Sequence, residues 1–292
     1  MSLSCQRPLA YCGFMRRYLL LLAVAGTLLF MPARCASAPR PSWSVDLQTR
    51  GVTENSEAVV LFCGPFLIVY PEKDPSPLVV DIATHRQVRE ERKAQLPCNV
   101  RHALLQSTSH LPDLSSRVVA RRKEMSVVQI CDQPICAQPP GKPSVRDSKF
   151  YLRVPGREDT LIWQAHCLPS LPVFLSDDRI LVFNCDMKTL VVDRSGRQAY
   201  GLPTFSMPWF ALDREGSRFA VYERDSSFFH QFEGTDRLRL RVYRSSDGKE
   251  LFKLRWRPGN EAFNDGRVAL SDDGALLALL RGGQLLVFAL PQ

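Results

Sequence analysis

The feature that most constrains this chain is a phrase that it repeats: an apolar strand end, a polar turn and a second apolar strand. The phrase occurs at Phe174–Phe183, Ala211–Tyr222 and Ala269–Leu279. Asp or Ser opens such a turn by hydrogen bonding to its own backbone, and Gly accepts a positive φ where it occurs. Each copy is therefore predicted to be a β-hairpin.

A second phrase follows at the next turn. It reads VDRSGR at Val192–Arg197 and VYRSSDGK at Val242–Lys249, with a weaker copy at Val80–Arg86. Its turn is again rich in Ser, Asp and Gly, which favour chain reversal. The two phrases together indicate sheets that are built from consecutive hairpins.

The rest of the chain consists of short apolar runs separated by Gly, Pro, Asp and Ser. The runs are rich in Val, Leu, Ile and Phe, and most are too short to be helices. Val59–Tyr70 is predicted to form two strands around Gly64 and Pro65. Further strands are predicted at Leu78–Ile82, Ser126–Ile130, Ile180–Cys185, Thr189–Asp193, Arg218–Glu223, Leu238–Tyr243, Glu250–Leu254, Ala275–Leu280 and Gln284–Leu290. The fold class predicted by this pattern is all-β.

The two phrases resemble the inner hairpins and closing turn of WD40-like β-propeller repeats, of the secreted bacterial type. The resemblance is clear over about residues 171–292 and weak over 43–92, and the His-Gly and Trp-Asp signatures are absent. It implies an all-β, β-propeller-like fold of four-stranded blades. At about 40–45 residues per blade, residues 39–292 would form roughly six blades, with five to seven possible.

The first 38 residues have the pattern of a secretory signal peptide. Arg16 and Arg17 precede an uncharged apolar run at Tyr18–Met31, and small residues follow at Ala36–Ala38. A positive start, an apolar middle and an A-x-A site predict cleavage after Ala38. An uncleaved signal anchor is the alternative, although the run is shorter than the roughly 20 residues of a membrane span. We therefore expect a secreted or periplasmic single domain at 39–292, with no stable membrane span after cleavage.

Removal of this leader changes the charge of the protein. Four arginines and no carboxylate lie in residues 1–38, so the net charge falls from +8 to +4. Much of the basicity therefore belongs to the targeting segment. In an exported protein of this modest charge, we expect no nucleic-acid partner.

Removal of the leader also changes the cysteine count, from nine to six. An even number in an oxidising compartment suggests up to three disulfides, whose pairing the sequence leaves open. The local pairs Cys131–Cys136 and Cys167–Cys185 are candidates. A zinc site is the alternative, but the C-x-x-C spacing is missing, so no metal or cofactor is expected. The six candidates are Cys63, Cys98, Cys131, Cys136, Cys167 and Cys185.

The sequence contains no recognisable catalytic motif: the G-x-S-x-G, P-loop and H-E-x-x-H patterns are absent. The carboxylate pairs Asp177-Asp178 and Asp272-Asp273 belong to the repeated turn, where a solvated turn role is favoured over acid–base or calcium chemistry. No orienting partner is evident for the scattered histidines, which are His85, His102, His110, His166 and His230. No catalytic residue is therefore predicted.

Two segments near the C-terminus are candidate partner contacts. Arg239 and Arg241 alternate with apolar residues in Leu238–Tyr243, which predicts an arginine face that could bind an acidic partner. The favoured alternative is an edge strand guarded by charge against pairing with other chains. The interval between the second and third hairpins contains an inserted loop, Asp225–Arg237, whose exposed aromatic residues are the better candidates. They are Phe228, Phe229, His230 and Phe232.

These observations favour a secreted, monomeric, non-enzymatic scaffold that contacts an unknown protein or polymer through its end loops. The alternative is a secreted hydrolase or lactonase-like enzyme with its site at the channel mouth, which requires histidines and carboxylates to converge in space. A third possibility is an incomplete propeller completed by another chain. That possibility predicts an exposed strand edge near Trp43 or Gln292.

Overall fold

The structure is a computed structural model, and the residues that it describes form twenty strands and two short 3-10 helices. The residues that it describes are 38–50, 52–53, 58–71, 77–88, 116–131, 148–165, 172–184, 188–204, 208–225, 237–258 and 265–292. They form five antiparallel sheets of four strands each. The 3-10 helices are Gln48–Arg50 and Asp265–Arg267.

The first three sheets each use four consecutive strands. Sheet 1 contains β2 (Val59–Cys63), β3 (Phe66–Tyr70), β4 (Leu78–Asp81) and β5 (Arg86–Gln87). Sheet 2 contains β6 (Ser116–Arg122), β7 (Met125–Cys131), β8 (Ser148–Arg153) and β9 (Thr160–Ala165). Sheet 3 contains β10 (Val173–Phe174), β11 (Arg179–Asn184), β12 (Lys188–Asp193) and β13 (Gln198–Pro203).

The fourth sheet repeats this arrangement, and the fifth combines strands from both ends of the domain. Sheet 4 contains β14 (Trp209–Leu212), β15 (Arg218–Asp225), β16 (Arg237–Arg244) and β17 (Glu250–Trp256). Sheet 5 contains β18 (Val268–Leu270), β19 (Leu276–Arg281), β20 (Gln284–Ala289) and β1 (Trp43–Asp46).

The pairing of β1 with β20 closes sheet 5. The strands run antiparallel, with Trp43 opposite Val287 and Asp46 opposite Gln284. Leu47 follows β1, is fully buried, and donates its N–H to the Gly283 carbonyl at 2.9 Å. Closure by strands from both ends of the domain is the arrangement expected of a propeller that closes without a second chain.

Apolar side chains alternate in direction along the strands and are covered on both faces of a sheet. In β19, Leu277 and Leu279 pack with sheet 4, whereas Ala278 and Leu280 pack with sheet 1. Shared apolar clusters likewise join sheet 2 to sheet 3 and sheet 3 to sheet 4. Face-to-face burial between consecutive sheets is how propeller blades form a core.

The predicted fold class is confirmed: the protein is all-β, and its four-stranded sheets are propeller-like blades. The first repeated phrase forms the hairpins β10–β11, β14–β15 and β18–β19. The second forms the turns β12–β13 and β16–β17, and its weaker copy forms β4–β5. Five sheets lie within the described residues, at the lower end of the predicted range.

Cys63 is 1% exposed and belongs to a disulfide bond. Its partner is not among the described side chains, and the other five candidate cysteines also lie outside them. The pairing therefore stays a prediction. Where the structure describes the chain, it contains no helix with the length and apolar character needed to cross a membrane.

Candidate binding pocket at the turn end of sheets 3 and 4

A pocket of about 720 Å³ opens between the turns of sheets 3 and 4. The first and third connections of a four-stranded antiparallel meander lie at the same end, so turns from both repeated phrases meet there. The turns of β10–β11 and β12–β13 contribute one side, and those of β14–β15 and β16–β17 contribute the other. The lining residues are Ser176, Asp178, Arg179, Asp193, Glu215, Gly216, Ser217, Arg218, Arg244, Ser245 and Ser246.

Gly216 determines how closely the two sheets approach at this end. Its φ is +70°, and a Cβ atom built there would lie 1.3 Å from the carbonyl oxygen of Leu175 in sheet 3. Its N–H donates to the Asp213 carbonyl at 3.2 Å, within its own turn. Glycine is therefore required here both for the backbone conformation and for the contact between sheets.

Tyr200 of β13 bridges the same two sheets. Its hydroxyl donates to the Ser245 carbonyl at 2.7 Å. Burial raises the pKa of Tyr200 to about 12, and the negative charge of Asp247 adds to this effect while the positive charge of Arg179 opposes it. The phenol therefore remains protonated near neutral pH and keeps its role as a donor.

Arg179 and Arg218 hold the same position in the repeated phrase, the first residue of the second strand. Arg218 donates through Nη1 to the Gly274 carbonyl of sheet 5, at 2.9 Å. The guanidinium of Arg179 has no hydrogen bond or ion pair with a described residue, and its positive charge opposes the rise in the pKa of Tyr200. Of the three arginines that line the pocket, Arg179 is the one whose guanidinium has no described acceptor.

Ser245 carries a second unpaired donor. The residue is 4% exposed, and its hydroxyl is buried with no hydrogen-bond partner. Its backbone is fixed, since its N–H donates to the Ser217 carbonyl at 2.8 Å. An unpaired buried polar group costs about 1–3 kcal/mol, so a partner for this hydroxyl would stabilise the pocket.

Two of the three carboxylates in the pocket wall are already engaged. Asp178 pairs with Arg194 at 3.0 Å. Asp193 accepts hydrogen bonds from the Ser195 hydroxyl and backbone and from the Arg197 backbone, and these lower its pKa. Glu215 is exposed at the rim. The wall therefore holds three arginines and three carboxylates, and the side chains of Arg179 and Ser245 are those whose donors have no described acceptor.

Asp177 lies beside the pocket and connects sheet 3 to sheet 2. It pairs with Lys123 and, at 2.8 Å, with Nε of Arg122. Arg122 also donates to the Glu215 carbonyl of sheet 4, at 3.3 Å. The hydrogen bonds from Lys123 and then Arg122 lower the pKa of Asp177 to about 2. This carboxylate of the repeated turn is thus a link between sheets as well as a turn residue.

The other predicted carboxylate pair has the expected turn role. Asp273 accepts hydrogen bonds from the Ser271 hydroxyl at 2.6 Å and from the Ala275 N–H at 3.0 Å. These hydrogen bonds lower the pKa of Asp273, and the bond from Ser271 makes the largest contribution. Within the described ranges, no group of three or more His, Cys, Asp or Glu residues is arranged to hold a metal ion.

The predicted arginine face requires a correction. β16 lies between β15 and β17, so the prediction that it is an edge strand is wrong. Arg241 is 5% exposed and pairs with the fully buried Glu223, and its Nη2 also donates to the Pro203 carbonyl of sheet 3 at 2.7 Å. It therefore lies between two sheets. Arg239 is partly buried, and its contact with a partner stays a prediction.

The predicted aromatic contacts Phe228, Phe229, His230 and Phe232 lie outside the described residues. The described ends of their loop are confirmed, because β15 ends at Asp225 and β16 begins at Arg237. This second connection of sheet 4 leaves from the end opposite the pocket. Of the five histidines only His85 is described, and its ring stacks on Trp43 at 4.7 Å.

The sequence interpretation did not identify Arg179 or Ser245 as site residues. A signal for Arg179 was present, because alignment of the repeated phrase places it with Arg218 while its own turn is two residues shorter. The shorter turn lacks the counterpart of Gly216. Nothing in the sequence marks the hydroxyl of Ser245 as buried and unpaired.

Comparison with known proteins returned neither a matching family model nor a matching curated protein. Among solved structures, the chain is similar to Hsv2 of Kluyvelomyces marxianus (13% identity, TM-score 0.36), covering 77% of this chain and 56% of that one. It is also similar to the WD40 beta propeller domain of Doa1 (10%, TM-score 0.34), with coverage of 79% and 62%. It is similar as well to the Cps50 (Swd1) beta-propeller domain of Myceliophteria thermophila (11% identity, TM-score 0.32), covering 80% of this chain and 83% of that one.

The chain spans 60% and 56% of the length of two Hsv2 chains that it resembles. The Doa1 and Cps50 (Swd1) domains are named as beta propellers, and the fold class of this chain rests on its own strand pairing. At such identities and TM-scores they carry no argument about activity, so the functional argument rests on the residues of the pocket.

We expect Gly216→Ala to destabilise the protein more than Gly156→Ala. Both residues have positive φ, but a Cβ at Gly156 would meet nothing within 4 Å. Gly156→Ala should therefore cost about 1–2 kcal/mol from backbone strain alone. Gly216→Ala should cost a further 1–3 kcal/mol or so, because the sheets must separate. Urea unfolding of both variants measures the difference, and equal losses would contradict the close approach.

We also expect the Asp177–Lys123 contact to weaken in acid. The depressed pKa means that Asp177 contributes stability above its ordinary value of 3.8, and that this contribution is lost as the pH falls towards about 2. A double-mutant cycle of Lys123→Gln and Asp177→Asn, followed by urea unfolding, should give coupling at pH 7 that disappears by pH 2. Lys123→Gln combined with Asp159→Asn, which lack a shared contact, should be additive. Coupling that is unchanged at pH 2 would contradict the assignment.

Proposed function

We propose that this chain is an exported binding scaffold, without catalytic chemistry, that holds a protein partner at the turn end of its sheets. The observation that carries the proposal is the pocket between sheets 3 and 4, where Arg179 and Ser245 have hydrogen-bond donors that no described residue uses. Rigid strands hold the turns that position these donors. A built pocket with unused donors suits recognition.

Three observations support export. The leader has the charged, apolar and small-residue segments of a signal peptide. The compact unit that contains all the assigned strands begins at Pro39, the residue that would follow the cleavage site. Cys63 is buried in a disulfide, a bond typical of oxidising compartments. A secreted or periplasmic location is accordingly part of the proposal.

The turn end is favoured as the contact surface because its polar groups are held in place by contacts between sheets. Gly216 lies against Leu175, and Tyr200 is hydrogen-bonded to Ser245. A partner that binds there meets groups whose positions are already fixed, which reduces the entropy cost of association. The loop after Asp225 would supply a separate contact at the opposite end of sheet 4.

Export can be tested by mass spectrometry of the full chain expressed in a secreting host. The proposal predicts a mature product that begins at Pro39 and gains mass on reduction and alkylation of its disulfides. Retention of residues 1–38, or six free thiols in the exported protein, would contradict this part of the proposal.

Partner binding can be tested by photo-crosslinking in the cells that produce the protein. A photoreactive residue placed at Ser246 lies at the turn end, whereas one at Lys253 lies on the exposed side of β17 and is the matched control. We expect one protein to be captured repeatedly from Ser246 and not from Lys253. Capture that is absent or equal from both positions would contradict a partner site at the turns.

A further inference from the structure

We infer that the pocket between sheets 3 and 4 binds a single carboxylate, supplied by an acidic peptide segment of the partner. This inference deepens the proposed function and rests on it. It assigns the ligand chemistry to two groups, the guanidinium of Arg179 and the hydroxyl of Ser245. The argument uses their bonding states, their common neighbour and the charges of the pocket wall.

The internal repeat offers one comparison for an arginine at this position, Arg218. Arg218 begins the second strand of sheet 4 and donates to the Gly274 carbonyl in the turn of the next sheet. Arg179 begins the second strand of sheet 3 but makes no such bond to the turn of sheet 4, where Arg122 donates to the Glu215 carbonyl, one residue before the counterpart of Gly274. The Arg179 guanidinium therefore lines the pocket without a described hydrogen-bond acceptor.

Ser245 provides an independent indication of a missing acceptor. Its hydroxyl is inaccessible to solvent and unpaired, although the residue lines the pocket. Tyr200 donates to the carbonyl of the same residue, and the positive charge of Arg179 opposes the rise in its pKa. A guanidinium and a hydroxyl that belong to the lining of one pocket form a donor set suited to an oxyanion.

The charges of the wall favour a carboxylate over a phosphate or sulfate ester. The lining contains three arginines and three carboxylates, the latter being Asp178, Asp193 and Glu215. A singly charged ligand uses the free charge of Arg179 without a large excess of negative charge, whereas a doubly charged phosphate would be repelled by the exposed Glu215. Planar carboxylates also match the bidentate geometry of arginine.

The test is isothermal titration calorimetry of the purified, exported protein with an N-acetylated, C-amidated Gly-Gly-Glu-Gly-Gly peptide, which carries one carboxylate. The Gln-containing peptide and inorganic sulfate are the two comparison arms. We expect the Glu peptide to bind at least tenfold more tightly than either. Arg179→Gln should weaken binding about tenfold or more, and Ser245→Ala about fivefold, as expected for loss of a charged and a neutral hydrogen-bond donor.

The matched control is Arg153→Gln, which removes the same charge from an exposed arginine of sheet 2 that pairs with Asp159. Its affinity should equal that of the unmodified protein, while Glu215→Gln should bind the Glu peptide more tightly. Thermal unfolding checks that each variant is folded. If Arg179→Gln does not fold, Arg179→Lys replaces it. This variant keeps the charge but loses the planar fork of the guanidinium, so its affinity for the Glu peptide should be intermediate.

Absence of peptide binding, equal affinities for the Glu and Gln peptides, tighter binding of sulfate, or equal effects of Arg179→Gln and Arg153→Gln would overturn the inference. Failure of the scaffold proposal can be distinguished from failure of the carboxylate assignment. If Ser246 captures a partner and Arg179→Gln leaves that capture unchanged, the scaffold proposal stands and the carboxylate assignment fails. If the Glu peptide binds through Arg179 but no partner is captured, the carboxylate assignment stands and the scaffold proposal fails.

Discussion

The structure depends on the sharing of apolar side chains between consecutive sheets. In β19, Leu277 and Leu279 are buried against sheet 4, and Ala278 and Leu280 are buried against sheet 1. Because successive residues of a strand point to opposite faces, a register slip of one residue would exchange the two sets. The same register fixes where each turn begins, and so it places the polar residues that line the pocket.

Polar contacts then join the sheets where the apolar faces end. Arg241 pairs with the buried Glu223 of its own sheet 4 and donates to the Pro203 carbonyl of sheet 3, and Asp177 connects the turn of sheet 3 to Lys123 of sheet 2. Breaking a buried pair by removing one partner is costly, since the remaining charge stays desolvated. The Asp177 contact lies at the turn end and helps to hold it in a fixed position, which is the property that a binding surface built from turns requires.

The repeated phrases allowed the fold to be predicted, because Asp, Ser and Gly turns between apolar runs are local signals. The alternation around Arg241 was misleading for a physical reason. In an isolated sheet such a face meets water, but here a neighbouring sheet covers it and Glu223 neutralises the charge. Strand β1 carries a weak pattern of its own, since it is defined by pairing with β20 at the other end of the domain. Arg179 and Ser245 required the structure, because an unused donor is a property of its surroundings.

The central claim is that packed sheets, joined through shared apolar faces and closed by β1, form one rigid support for the turns. Native-state hydrogen exchange measures this most directly, by comparing the amides of β11, β15 and β19 in sheets 3, 4 and 5. Shared faces predict that these strands open together, with one common free energy close to that of global unfolding. Three clearly different opening free energies, one for each sheet, would contradict the account.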